Sequence, residues 1–210
     1  MPPILLIGGC HKYLDFLTAA IRRAQQSTTW EVIGVIGDET KPISFDESTR
    51  ILCVPVSDVY EALPAKLHAA YCWIRENRPG IPGVFKTDDD ILWDIHRLAE
   101  AITTNQVLPY WGVRCARCVA GPVNPRRIEH RFADTSLRPS HPAATYCYGW
   151  GYWLSATEAL PAVCAAASFA DAPLEDVCTG AVLNAIGLCP YQVAVPFREV
   201  PRSPELLLVS

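Results

Sequence analysis

The run Gly83-Val84-Phe85-Lys86-Thr87-Asp88-Asp89-Asp90-Ile91-Leu92-Trp93 places three consecutive carboxylates at the end of a short apolar stretch. Like charges a few ångströms apart disfavour joint ionisation, so a nearby cation is the natural compensation. Carboxylate oxygens are hard ligands that suit Mg²⁺ or Mn²⁺, commonly with phosphate oxygens completing the shell. The spacing Asp88-x-Asp90 therefore reads as a metal and nucleotide-sugar site. A packing explanation stands beside it: the triplet caps a helix beginning near Ile91, where the helix dipole favours negative charge. One aspartate is enough for that task, and the residues alone leave both readings open.

The elements that must position these carboxylates are legible upstream. Ile4-Leu5-Leu6-Ile7-Gly8-Gly9 has the form of a buried parallel strand, an apolar run ended by glycines. Phe16, Leu17, Ala20, Ile21 and Ala24 follow at helical spacing, with Arg22, Arg23 and Gln25 on the other face. Strands are expected over Glu31–Ile36 and Arg50–Val56, with a polar loop over Lys41–Thr49. Ser57 or Asp58 is expected to cap a helix running to about Asn77, with Leu63, Leu67, Ala70, Tyr71 and Ile74 as its inner face. Residues 79–83 stop it and lead into the acidic strand. This order implies a mostly parallel sheet with right-handed crossovers, and ligands of such sheets bind outside the carboxyl ends of the strands, where Asp88 to Asp90 would lie.

Beyond Trp93 a helix is expected to about Thr103 and a strand over Leu108–Cys115. Ala120 to Pro142, rich in proline and arginine, reads as a long excursion over the active face. The stretch from Tyr146 to Ser155 is an aromatic, glycine-rich turn into a strand; it serves either to admit a sugar or to fill a core. Leu174-Glu175-Asp176-Val177 opens the last clear helix behind Pro173, with Val177, Ala181, Leu183 and Ile186 as its apolar face and Gly187 as its stop. The tail from Pro190 reads as extended.

The chain has 210 residues, half of them apolar, which is enough for one sizeable core. Its net charge of −4 argues against nucleic acid as a partner. No apolar run is long enough to span a bilayer, and Ile4-Leu5-Leu6-Ile7 lacks the flank of a secretory signal. Nine cysteines without regular spacing favour reduced thiols over a disulfide framework and so a cytoplasmic, soluble protein. Cys115-x-x-Cys118 has no second Cys or His pair at zinc-binding spacing.

Taken together, the motifs resemble the β1,3-glycosyltransferase family of galactosyltransferases, N-acetylglucosaminyltransferases and Fringe proteins. Asp58-Val59-Tyr60-x-x-Leu63-x-x-Lys66 is similar to the family's D-x-Y-x-x-L-x-x-K, with Trp73 where its helix carries tryptophan. Lys86-Thr87-Asp88-Asp89-Asp90 resembles K-T-D-D-D. The run Tyr146-Cys147-Tyr148-Gly149-Trp150-Gly151-Tyr152-x-Leu154-Ser155 resembles Y-C-S-G-G-G-Y-x-x-S, and Leu174-Glu175-Asp176-Val177-x-x-Gly180 resembles L-E-D-V-Y-x-G. More weakly, Ala20-Ile21-Arg22 and Trp30 resemble A-I-R-x-T-W. The resemblance spans about Ala20 to Tyr191.

The resemblance implies an α/β GT-A fold in one domain with a Rossmann-like, mostly parallel sheet and an acceptor-side extension. Residues 1–90 would form the nucleotide-sugar half and 91–210 the acceptor-side and catalytic half. It implies an inverting transferase moving a hexose or N-acetylhexosamine from a UDP-sugar to a glycan hydroxyl, with Mn²⁺ or Mg²⁺. Asp90 and Asp88 would meet the metal; Asp88, Asp89, Lys66, Gly151 and Tyr152 the nucleotide-sugar; and Asp176 would be the base, with Glu175 its rival. Family members carry a membrane anchor ahead of this region, so a Golgi-lumen location is the alternative to a cytoplasmic one. The histidine that some members add to the metal shell after the E-D-V helix has no counterpart, since the last histidine is His141, and Trp150 replaces a glycine facing the substrates. A metal-assisted phosphoesterase or glycoside hydrolase, or a non-catalytic nucleotide-sugar-binding module, would use the same carboxylates.

Overall fold

The computed structural model describes residues 1–136, 139–169 and 173–200. The chain begins with β1 (Ile4–Gly8), α1 (Leu14–Ser27), β2 (Glu31–Gly37), β3 (Ser44–Asp46), β4 (Ile51–Val54), α2 (Leu63–Asn77) and β5 (Gly83–Asp88). It continues with β6 (Ile91–Trp93), α3 (Ile95–Asn105), β7 (Tyr110–Cys118), β8 (Gly121–Pro122), α4 (Pro125–Arg131), β9 (Ser140–His141) and β10 (Ala144–Ser155). α5 (Ala159–Ala165), α6 (Glu175–Ala185), β11 (Tyr191–Gln192) and β12 (Phe197–Glu199) complete it.

One eight-stranded sheet runs β11-β7-β10-β5-β1-β2-β4-β3. Its middle, β5-β1-β2-β4, is parallel, and β10 enters antiparallel beside β5. β1 is apolar at four of five positions and wholly buried because helices cover both faces of the sheet. On one face Leu5, Ile7, Phe85, Trp111 and Trp153 pack with Leu17 and Ile21 of α1 and Leu98 and Ile102 of α3. On the other, Leu6, Ile33, Val84 and Tyr152 pack with Leu67, Ala70, Tyr71 and Ile74 of α2 and Leu183 of α6. Of the expected faces, Leu17, Ala20, Ile21 and Ala24 of α1 and Leu67, Ala70, Tyr71 and Ile74 of α2 are buried, while Phe16 and Leu63 are half-buried. The GT-A expectation holds at this level: a mixed α/β molecule on a mostly parallel sheet.

Several boundaries differ from the sequence reading. Ile91–Trp93 is a strand, paired antiparallel with Phe197–Glu199, and the helix starts only at Ile95. Its cap is Asp94, whose Oδ1 accepts from Arg97 N at 3.1 Å, so the triplet caps no helix. The β-branched and aromatic residues at 91 and 93 go with extended chain once a partner strand is present. The helix expected from Ser57 or Asp58 begins as a 3₁₀ turn at Tyr60–Ala62, and α2 proper starts at Leu63 with Pro64 in its first turn. The polar loop holds β3, and the tail holds β11 and β12. In α6, Gly187 at φ 82° ends the helix as expected, but Ile186 is 58% exposed rather than part of the apolar face. The Cys118 side chain lies outside the described residues, and so does any pairing with Cys115.

β10 pairs with β7 out of register between Cys147 and Tyr152, so residues 148–151 bulge from that ladder while Gly151 still faces Thr87 of β5. A Cβ on Gly151 would lie 2.4 Å from Trp93 Cζ2 and 2.9 Å from Phe85 Cε1. Because those rings are themselves packed at 5.2 Å between centroids, Gly151→Ala is expected to destabilise the protein by about 1–3 kcal/mol. A urea titration checks this, with an unchanged midpoint counting against it.

Candidate active site

The site is built where β5, β10 and α6 meet. Lys86 and Asp88 are two apart on β5, so both side chains leave the same face of the strand. The Lys86 ammonium, 1% exposed, lies 2.8 Å from Asp88 Oδ1 and 3.4 Å from Glu175 Oε2, and it donates to Gly149 O at 2.8 Å. Burial alone would discharge this lysine, but the charges of Asp88, Glu175 and Asp176 outweigh it and hold its pKa above the usual value. Glu175 shows the other side of that competition. Its burial is the largest influence and outweighs Lys86, while Asp176 and Asp88 add repulsion, so its pKa is pushed up to about 7.

Glu175 is held further by hydrogen bonds from the Tyr152 hydroxyl and from Thr179 Oγ1, the latter at 3.2 Å. Tyr152 is fully buried and shares a 2.7 Å hydrogen bond with Tyr71. Asp176 is placed differently. Its Oδ2 accepts from Gly149 N at 3.2 Å and its Oδ1 from Val177 N at 2.9 Å, beside the bulge of β10. Thr87 Oγ1 donates to Trp150 O at 2.8 Å and accepts from Trp93 Nε1 at 2.8 Å, joining the strand before the acidic turn to the bulge.

Asp88 is the last residue of β5 and about a third exposed; Asp89 and Asp90 form the turn into β6. The Asp89 side chain is buried and its N–H donates to Gly8 O at 3.1 Å. Asp90 is half-buried, and its carbonyl accepts from Val200 N at 2.8 Å, which ties the turn to the end of β12. Among the described residues no three His, Cys, Asp or Glu side chains converge closely enough to cage a metal. Two carboxylates on one turn at an open strand end do fit a hard divalent ion that takes its remaining oxygens from phosphate and water.

The other nominated residues sit near the strand ends but face inward. Lys66 is 2% exposed, and its ammonium donates to Gly9 O at 2.6 Å and Asp58 Oδ1 at 2.8 Å. Asp58 also accepts from Gly37 N at 2.8 Å and His11 N at 2.5 Å. Burial opposes its charge, but Lys66 and these N–H donors hold its carboxyl below the usual range. Asp58 thus gathers the carboxyl ends of β1 and β2 rather than capping α2. Gly151 and Tyr152 lie buried in β10, where Tyr152 holds Glu175 through its hydroxyl. Sequence reasoning left Lys86 out, although a lysine within an apolar strand, two residues before an aspartate, is the signal that finds it.

A cleft of about 480 Å³ opens between α1 and the β6–β12 pair, floored by Leu5, Ile7, Ala20 and Ala24. It reaches the site only at Thr87 and Asp88; Asp176 and Glu175 lie outside it, so the carboxylates locate the chemistry better than this hollow does.

The family model for galactosyltransferases matches residues 32–194. The chain belongs to the galactosyltransferase family. It is a glycosyltransferase, and the acidic turn, the β10 bulge and the start of α6 all fall within the matched region. No curated protein matches it in sequence. Among solved structures, a 4-diphosphocytidyl-2C-methyl-D-erythritol synthase overlays with a TM-score of 0.53 at 11% identity, covering 99% of this chain and 98% of that one. The corresponding Anaerococcus prevotii enzyme gives 0.49 at 8% identity over 99% and 92%. The galactosyltransferase LgtC with donor and acceptor sugar analogues gives 0.45 at 10% identity over 89% and 72%. The first of these speaks for the fold of the transferase; the other two overlays carry no further weight. Among the described residues no helix is long and apolar enough to cross a membrane.

The raised Glu175 pKa has a consequence for stability. The folded transferase binds this proton more tightly than the unfolded chain, whose glutamate keeps the ordinary value of 4.5. The residue's contribution is therefore fully present below about pH 4.5 and is lost as pH rises through about 7. Glu175→Gln, which mimics the protonated form, is expected to flatten that part of the stability curve. Urea unfolding between pH 5 and 8 measures it, and parallel curves for the two proteins would refute it.

Proposed function

We propose that this glycosyltransferase moves a hexose or N-acetylhexosamine from a UDP-sugar to a glycan hydroxyl by a single displacement with inversion, probing the donor through Asp88 and Asp90 and the acceptor through Asp176. The observation that carries the reading is the meeting of the acidic turn with the Glu175-Asp176 helix start around one buried ammonium. The donor diphosphate lies over the carboxyl end of β5, and the acceptor approaches from the β10 side. Asp90 would be the direct ligand of a Mn²⁺ or Mg²⁺ ion, and Asp88, already paired with Lys86, would serve the ribose or the ion through water. When bound, such an ion neutralises charge on the departing diphosphate.

Asp176 takes the proton of the acceptor hydroxyl as its oxygen attacks the anomeric carbon, and the bond to the nucleoside diphosphate breaks with its electrons leaving on oxygen. Glu175 is the poorer base on geometric grounds, because its oxygens are occupied by Lys86, Tyr152 and Thr179 inside the fold. Gly149 N, which donates to Asp176, aims that carboxylate at the bulge where the acceptor enters.

Asp90→Ala is expected to remove Mn²⁺-dependent UDP binding while leaving the fold intact, since it removes one member of a repulsive cluster. Titration calorimetry with UDP, with and without Mn²⁺, reads this; unchanged metal-dependent affinity would rule out Asp90 as ligand. Asp176→Asn is expected to lower turnover by roughly two to four orders of magnitude with nearly unchanged donor affinity. The measurement is UDP release across a panel of glycan acceptors. Loss in Glu175→Gln with retention in Asp176→Asn would exchange their roles, and equal sugar release without acceptor would turn the reading toward hydrolysis.

A further inference from the structure

Away from the carboxylate cluster, α2 and α5 bring two thiols and an imidazole together. His68 and Cys72 are four residues apart on α2 and so share a face, and Cys164 is the penultimate residue of α5. His68 Nε2 lies 3.2 Å from the Cys164 carbonyl oxygen and 3.9 Å from Cys72 Sγ. Cys72 Sγ is 3.9 Å from the same carbonyl oxygen, so the Cys72 thiol rests against the Cys164 residue itself. The three residues are half-buried, which leaves them within reach of a small reagent. None of them touches Lys86, Asp88 or Asp176 through a described hydrogen bond, so the proposed transfer chemistry gives this cluster no work.

We propose that Cys72 and Cys164 are a reversible dithiol–disulfide pair that staples α2 to α5 when the protein meets a low-molecular-weight disulfide such as oxidised glutathione. Cys72, with the imidazole beside it, is the attacking sulfur: it forms a mixed disulfide and expels one glutathione thiol. Cys164 then attacks the mixed disulfide at Cys72 and displaces the second glutathione as its thiolate, which takes up the proton that Cys164 loses. The protein loses two electrons and two protons as two thiols become one disulfide, and the external disulfide gains both as two free thiols. Burial pushes the Cys164 thiol up to about 12, so Cys164 stays protonated and leaves the first attack to Cys72.

The link would close a span of 92 residues, joining the helix that carries Lys66 to the segment leading into α6. A cross-link over so long a loop removes much conformational freedom from the unfolded chain. The expectation is a staple compatible with a protein that folds with all eight described cysteines free.

The test uses the full chain equilibrated with oxidised and reduced glutathione, quenched by alkylation and read by mass spectrometry and thermal unfolding. Oxidation is expected to lower the mass by two hydrogens, to join the peptides of Cys72 and Cys164, and to raise Tm by roughly 5–10 °C, reversibly with dithiothreitol. Cys164→Ser is expected to stop at one glutathione on Cys72, and Cys72→Ser to give no cross-link, with the reduced Tm of each variant reporting that it folds. A cross-link through other cysteines, a stable glutathione adduct on native Cys72, or no oxidation at all would overturn the proposal. The readout involves no sugar transfer, so it is independent of the proposed activity.

Discussion

A single ammonium buried among carboxylates organises this molecule's working end. Taking Lys86 out of water is costly, and that cost is offset only because Asp88, Glu175 and the Gly149 carbonyl all converge on it. Such a cluster adds little net stability relative to apolar packing, but breaking it leaves charge uncompensated in the interior. Its value is in register. Three segments far apart in sequence, the end of β5, the bulge of β10 and the first turn of α6, share one cation, and a slip of any of them leaves a charge alone.

The aromatic residues carry that register outward. Phe85 packs on Trp93, Trp93 on Phe197 and Phe197 on Trp150, with centroid distances of 5.0 to 5.2 Å. The C-terminal strand β12 is therefore held to both the acidic turn and the bulge: by ladder bonds to β6, by Val200 N on Asp90 O, and by Phe197 between two indoles. Trp150 closes this line against Tyr148 at 4.8 Å. Its ring also packs the bulge against Phe197 of β12.

The parallel half of the fold was legible in the sequence because its signals are local. β1, α1 and α2 announce themselves by apolar runs and helical spacing that read the same whatever surrounds them. The acidic turn was legible for a similar reason, since charge repulsion needs no tertiary context. What escaped depended on partners distant in sequence. Ile91–Trp93 is a strand because β12 lies beside it, more than a hundred residues later, and Asp58 is a hub because Lys66, His11 and Gly37 converge there rather than a cap on the nearest helix. The aromatic motif left Tyr152 open between a sugar contact and a core strand, and the structure buries its ring in the core. The small cluster of Val123, Ile128 and Phe132 packs against Tyr146, Leu174 and Val177, so the proline-rich excursion does border the start of α6.

The adjacent carboxylates at that helix start show how one residue can set another's direction. Successive residues on a helix point about 100° apart, so fixing the azimuth of one fixes the other. Glu175 is clamped by Lys86, Tyr152 and Thr179, and Tyr152 is itself held by Tyr71 of α2. This polar line crosses the core from α2 to α6 and locks the rotation of α6 about its own axis. Asp176 is then turned toward Gly149 by the helix itself, without an elaborate hydrogen-bond shell of its own. For the base proposed above such indirect placement is an advantage: its orientation is imposed through the backbone, while its oxygens keep only two backbone N–H partners that a substrate would have to displace.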